Sequence, residues 1–202
     1  MIKVDVVVIG SEGAGARAAI EVKRRGMNPM IVTKGKIGKC GATVTAMADF
    51  DCDSKSAKEV LGLQGDVRDS KEKFFEDTVI SGGYLNNQKI VEKHVDEIPT
   101  LAKEMMDWGM KVEPVLYHGA GQTYPRSVLT TGPEFMRVLI KAVKEANIPV
   151  YEHFMATDLV KKDGRIAGVT GLDLSTGEFV QIAAKAVILA TGGGMQMYPY
   201  ST

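Results

Sequence analysis

Val4-Asp5-Val6-Val7-Val8-Ile9-Gly10-Ser11-Glu12-Gly13-Ala14-Gly15-Ala16-Arg17-Ala18-Ala19 decides the fold. Residues 4–9 are β-branched almost throughout and do not alternate with polar residues, which is how a strand buried on both faces reads. Gly10 to Gly15 interrupts it. From Ala14 to Arg25 the chain is rich in Ala and Arg, and Ala14, Ala18, Ala19 and Val22 fall on one helical face. Lys23, Arg24 and Arg25 suit the negative end of a helix dipole, and Gly26 supplies the turn past its end. Pro29 to Thr33 reads as a second short strand. Residues 1–33 therefore form a strand–glycine loop–helix–strand unit.

A turn of this kind places free helix N–H groups where an anion such as a dinucleotide pyrophosphate binds. Gly10 lets the chain leave the strand sharply, and Gly15 lets helix and strand pack closely. The residue two after the first glycine is normally glycine too; here it is Glu12, leaving Gly13 to supply clearance. A carboxylate beside two phosphates is repulsive unless it turns away or pairs with Lys or Arg, so Glu12→Gly is expected to tighten binding or leave it unchanged. An ordinary βα turn that binds nothing is the competing reading.

Thr33 stands 23 residues after Gly10, with Lys34 next to it, where a carboxylate would grip ribose hydroxyls. A hydroxyl replaces only one of its hydrogen bonds. Far along the chain, Lys185 to Leu189 is another apolar strand, with Lys185 as an interruption of the run Ala183–Ala190, and Ala190-Thr191-Gly192-Gly193-Gly194 follows it. Three loops that leave the carboxyl ends of strands in one parallel sheet converge on one binding region.

Between these points, residues 34–68 lose regularity and read as a long loop. A helix is predicted over Lys71–Ile80, closed by Gly82-Gly83. A longer one runs from Asn87 to Trp108, with Pro99 expected to kink or split it. Thr131-Gly132-Pro133-Glu134 starts a third, ending at Asn147. Phe154–Lys161, Arg165–Leu174 and Glu178–Ala183 then read as an antiparallel meander, its first turn marked by Asp163-Gly164.

The 202 residues carry 25 Lys+Arg and 25 Asp+Glu, with 45% hydrophobic residues. That is a globular profile without the positive excess that nucleic acid requires. No apolar run approaches the ~20 residues of a transmembrane helix, and no secretory leader is expected. Cys40 and Cys52 match no metal pattern and read as free thiols in a reducing compartment. His94, His118 and His153 lack metal-ligand spacing, and Asp49, Asp51 and Asp53 lack the Gly and Glu of a calcium loop; no metal is expected, and the three aspartates read as a solvated loop. Met105, Met106 and Trp108 read as helix core or contact surface.

The whole chain resembles the N-terminal part of the flavoprotein family of succinate dehydrogenase and fumarate reductase, which also holds L-aspartate oxidase and adenylylsulfate reductase. The likeness rests on Asp5–Gly10 with Gly13–Ala19, on Asp77-Thr78 with Gly82–Asn87 and Val91, on Tyr124-Pro125-Arg126 with Thr131-Gly132, and on Ala186–Gly194 with Tyr198-Pro199. It implies an α/β fold: a Rossmann-like FAD-binding domain with a parallel sheet, an antiparallel three-stranded β-meander and a helical insertion. The expected layout is a βαβ unit over 1–33, a loop and helical insertion over 34–147, and a meander and return strand over 148–194.

The same resemblance implies FAD, held by Gly10, Ser11, Glu12, Gly13, Ala14, Gly15, Thr33, Lys34, Cys40, Gly41, Ala42, Thr43, Ala156, Ala190, Thr191, Gly192 and Gly193. The family's covalent flavin linkage uses a histidine in a His-Thr-Val motif. Here the stretch is Ala42-Thr43-Val44, so the flavin is expected to be non-covalent. The family's capping domain, with its substrate-binding histidine and arginines and its proton donor, is expected to be absent from these residues. The chain is then a fragment or a split subunit, completed by a missing C-terminal part or a complementary flavoprotein chain. It would exchange a hydride with a small carboxylic acid substrate, pass electrons to an iron–sulfur subunit, and be cytoplasmic or peripheral to the membrane through its partners. The alternative is an FAD-holding electron-transfer module without a dicarboxylate site.

Overall fold

The computed structural model describes residues 2–47, 49–194 and 197–200. In chain order these give β1 (Ile2–Ile9), α1 (Gly13–Arg24), β2 (Pro29–Val32), α2 (Ala42–Thr45), β3 (Asp49–Asp51), α3 (Ser54–Glu59), α4 (Lys71–Ser81) and α5 (Gln88–Asp107). After them come β4 (Leu116–Tyr117), β5 (Ser127–Leu129), α6 (Gly132–Glu145), β6 (Val150–Tyr151), β7 (Phe154–Lys162), β8 (Arg165–Asp173) and β9 (Phe179–Leu189). They fall into two units, one formed by residues 1–46 and 135–202, the other by 47–134.

The first unit is built on a six-stranded sheet in the order β6-β2-β1-β9-β8-β7. β1 pairs in parallel with β2 and β9, and β2 with β6. Val7 and Val8 are fully buried, as the unbroken apolar run of β1 requires. Val7, Ile9, Val32, Phe154, Val169, Ile182 and Ala184 form one hydrophobic cluster of its core. The β7–β8 hairpin closes as the Asp-Gly pair predicts: Asp163 and Gly164 both take positive φ, and Lys162 pairs with Arg165.

Two expectations are corrected in this unit. The third meander strand and the return strand are one element, β9. It pairs antiparallel with β8 over Phe179–Ala183 and in parallel with β1 over Ile182–Leu189. No turn residue separates Ala183 from Ala186, and Lys185 does not interrupt the strand because its ammonium lies outside and meets Asp5 of β1 at 2.7 Å. The second correction is β6, a two-residue strand that extends the sheet beyond β2 and that no sequence pattern announces.

The second unit is not a loop with helices alone. It contains an antiparallel sheet in the order β3-β5-β4, and the stretch read as loop holds α3, while α2 lies in the first unit. These elements are too short for periodicity to reveal. Asp53 carried a usable signal, since its carboxylate accepts from Ser56 N at 2.8 Å and caps α3. Asp51 and Asp53 are therefore not solvated loop residues: Asp53 is buried, and Asp51 accepts from Gln122 Nε2 and Ser127 Oγ. The long helix α5 runs through Pro99 without a break, with the proline buried on the same side as Val91, Val95 and Ala102. Both cysteines are free thiols. Among the described residues no three His, Cys, Asp or Glu side chains converge as a metal would need, and no helix is long and apolar enough to cross a membrane.

Candidate functional site

The carboxyl ends of three neighbouring strands set the site. Ile9 pairs with Val32 on one side and Leu189 on the other, so Gly10, Thr33 and Ala190 leave the sheet at one level. Backbone bonds fix that level: Gly10 N donates to Val32 O at 2.9 Å, and Ala190 N donates to Ile9 O at 2.8 Å. Thr33 N donates to Tyr151 O of β6, and Thr33 O accepts from Phe154 N at 2.9 Å. The start of β7 is thereby held beside the end of β2.

Two glycines are required by contact. Gly10 has φ +112, and a Cβ there would stand 2.0 Å from Ala190 O. A Cβ on Gly15 would stand 2.0 Å from Gly10 O, so α1 begins pressed against the end of β1. The first turn of a helix has N–H groups with no intrahelical acceptor. At α1 the N-cap residue is Glu12, and its side chain does not cap that helix. The dipole and amides of α1 are thus presented to whatever lies in front of Gly10–Gly13.

What lies there is an open cleft of about 420 Å³. Of the expected residues, Gly10, Ser11, Glu12, Thr33, Lys34, Cys40, Gly41, Ala156, Ala190 and Thr191 line it. Gly13, Ala14, Gly15, Ala42 and Thr43 adjoin it in sequence without lining it. Gly192 and Gly193 lie beyond Thr191, exposed, with no described residue near the position of a Cβ. Gly35, Phe154 and Met155 also line the cleft, and the sequence reading does not find them. The topology that brings β7 to β2 would reveal the last two, but β6, which shows that topology, spans only two residues.

The polar floor is a hydroxyl pair. Ser11 Oγ donates to Thr33 Oγ1 at 3.0 Å, both residues being buried, and Cys40 Sγ lies 3.9 Å from the same oxygen. Each hydroxyl keeps acceptor capacity for a ligand. Glu12 directs its carboxylate at the Thr43 amide, accepting from Thr43 N at 2.7 Å.

This is a dinucleotide-binding α/β fold of the kind that holds a flavin nucleotide. The family model of the FAD binding domain matches residues 5–201, and the chain belongs to that family, which the fumarate reductase flavoproteins share. It is 36% identical over 210 residues to an uncharacterised FAD-dependent oxidoreductase of Methanocaldococcus jannaschii, covering 99% of this chain and 36% of that protein. It is 33% identical over 207 residues to one of the subunits of the CoM/CoB fumarate reductase of Methanothermobacter marburgensis, covering 98% and 36%. Among solved structures, the Mycobacterium smegmatis Sdh1 complex matches with a TM-score of 0.84 at 34% identity, over 95% of this chain and 34% of that one. The chain thus spans about a third of the length of the relatives it matches.

FAD is the cofactor the family indicates, and the residues present fit it. The Gly10 and Gly15 positions leave no room for a side chain, α1 starts directly after Glu12 of the cleft wall, and the buried hydroxyl pair can bond a ribose.

Proposed function

We propose that this chain is the FAD-binding portion of a fumarate reductase- or succinate dehydrogenase-like flavoprotein that exchanges a hydride with a small carboxylic acid. The observation that carries the reading is the convergence of Gly10, Thr33 and Ala190 on one cleft at the start of α1. In this reading Gly10–Gly15 hold the pyrophosphate through backbone amides, Ser11 and Thr33 meet the ribose, and Met155, Ala156 and Ala190 border the adenosine side. Gly41–Thr43, Gly192 and Gly193 border the flavin side. The bound flavin supplies the two-electron chemistry, while the protein supplies position and electrostatics. Ala42 has no nucleophile, so the flavin is held without a covalent bond. Substrate clamp and proton donor come from sequence corresponding to the rest of the relatives' length, in the same chain or a complementary one. Electrons leave through an iron–sulfur partner.

Titration of the purified protein with FAD tests the first part. Saturable quenching of flavin fluorescence is expected, and acid precipitation should leave all flavin in the supernatant. Failure to saturate would sink the FAD reading, and flavin retained on the denatured band would sink the non-covalent one. Fumarate-dependent oxidation of a reduced dye tests the second part. Turnover is expected only when the complementary sequence is present; its absence even then would favour an electron-transfer module.

A further inference from the structure

The residue that departs from the dinucleotide pattern is also the one that ties the phosphate loop to the next loop. Glu12 Oε2 accepts from Thr43 N at 2.7 Å, and Gly13 N points back at Thr43 Oγ1 at 3.4 Å. Thr43 lies in the first turn of α2, where its amide has no helical acceptor, so a carboxylate there makes a charge-assisted bond. The fit on the other carboxylate oxygen is as specific. Gly41 has φ +87, and a Cβ on it would fall 1.1 Å from Glu12 Oε1. Glu12 and Gly41 are therefore complementary in shape as well as linked through Thr43. The segment between, which starts from the end of β2, carries Cys40 and Gly41 into the wall of the cleft. A glycine at position 12 would give the pyrophosphate more room but would remove the short bond at Thr43, leaving the longer Gly13 N–Thr43 Oγ1 contact and the Ile37 N–Glu152 bond to hold this segment.

We propose that Glu12 is a positioning residue: it latches the Cys40–Thr43 segment against the cofactor cleft, and Gly41 is glycine to admit its carboxylate. The proposal rests on the FAD reading for its purpose, but the latch exists in the protein without cofactor and can be measured there.

The test compares Glu12→Gly, Glu12→Gln, Gly41→Ala and the Glu12→Gly/Gly41→Ala double variant in the purified protein. One readout is the alkylation rate of Cys40 by iodoacetamide without FAD, followed by mass spectrometry. The other is FAD affinity from fluorescence quenching. A glutamine side chain keeps an oxygen for Thr43 N but loses the charge, so Glu12→Gln should lie nearer the wild type than Glu12→Gly in both. Glu12→Gly should speed Cys40 alkylation several-fold and weaken FAD by about tenfold. Gly41→Ala should do the same from the other side, so the result does not hang on one variant folding. The strain of alanine at positive φ is present in both backgrounds and cancels in the cycle. With Glu12 already gone, Gly41→Ala should add little beyond that strain. Tighter FAD binding by both Glu12 variants would mean that charge repulsion dominates and would overturn the latch. Unchanged alkylation in Glu12→Gly would overturn it as well. Faster alkylation in a protein that never bound FAD would keep the latch and remove the cofactor reading.

Discussion

Arg126 holds Asp69 in a two-bond fork, Nε to Oδ2 at 2.8 Å and Nη2 to Oδ1 at 2.7 Å, with both side chains fully buried. The remaining Nη1 reaches Asp77 Oδ2 at 2.7 Å, and the guanidinium lies over the Phe74 ring. The two carboxylates have other partners: Asp69 accepts from Ser54 N, and Asp77 from the amide and hydroxyl of Thr123. Four segments of the second unit, around Ser54, Asp69, Phe74–Asp77 and Thr123–Arg126, meet in this one network, which is how a region of short strands and loops is kept in one arrangement.

Removal of the guanidinium should be severe. Arg126→Met leaves Asp69 buried without its cation and Asp77 with Lys73 at 3.4 Å in place of the guanidinium, a change worth ~3–5 kcal/mol of lost stability. Arg126→Lys should recover only part, since an ammonium cannot reproduce the planar fork. Urea midpoints for the three proteins check the order wild type, Lys, Met. A Met variant as stable as the wild type would show that the network contributes nothing.

Asp77 gives this network an acid limit. Burial pushes its carboxyl up, but Thr123 and Arg126 outweigh that and hold it at about 2, below the ordinary 3.8. A carboxyl depressed in the folded state stabilises in full above its unfolded pKa and loses that contribution as pH falls toward the folded one. The wild type should therefore exceed Asp77→Asn in melting temperature at pH 6, and the gap should narrow between about pH 4 and pH 2. A gap independent of pH would mean that the aspartate acts by shape alone.

None of that network was legible in the sequence, where Arg126 entered only through the resemblance carried by Tyr124-Pro125-Arg126. Its partners lie 57 and 49 residues away, and no periodicity links them. What was legible is what period and turn chemistry encode locally: β1 and α1, the helices α4 to α6, and the Asp163-Gly164 hairpin. The site was legible at Gly10, Thr33 and Ala190 because each ends a strand that reads clearly. Phe154 and Met155 were not, since only the pairing of β6 with β2 brings them there. Glu12 read as a repulsive intruder because the amide of Thr43, 31 residues on, cannot be seen from the motif.

The two thiols should behave oppositely. Cys52 is fully buried, and burial pushes its thiol up to about 12, so it holds little reactive thiolate at pH 8. Cys40 is half-buried in the cleft wall. Iodoacetamide at pH 8 should label Cys40 in the folded protein and Cys52 only in denaturant. Saturating FAD should slow labelling of Cys40 and leave Cys52 as it was. Equal protection of both would point to a general tightening of the fold, and no protection of Cys40 would move the cofactor away from this cleft.

Gly15 separates packing from ligand contact most sharply. A Cβ there would stand 2.0 Å from Gly10 O and 3.4 Å from Ala190 Cβ, in the backbone corner where α1 leaves β1. Neither neighbour is a flexible side-chain end, so a larger residue must push α1 off the strand end. Gly15→Val should cost ~1–3 kcal/mol by overpacking. It should also abolish detectable FAD binding, because the α1 amides move with the helix. Gly193 is the contrast: nothing among the described residues lies near its Cβ position, and its φ is not in the glycine-favouring range. Gly193→Ala should leave the melting temperature unchanged, so any loss of FAD affinity it causes reports contact with the cofactor rather than damage to the fold. Melting curves and FAD titrations of both variants decide the matter. A Gly15→Val protein that melts as the wild type and still binds FAD would mean that the close contact between α1 and β1 is not what presents the amides to the pyrophosphate.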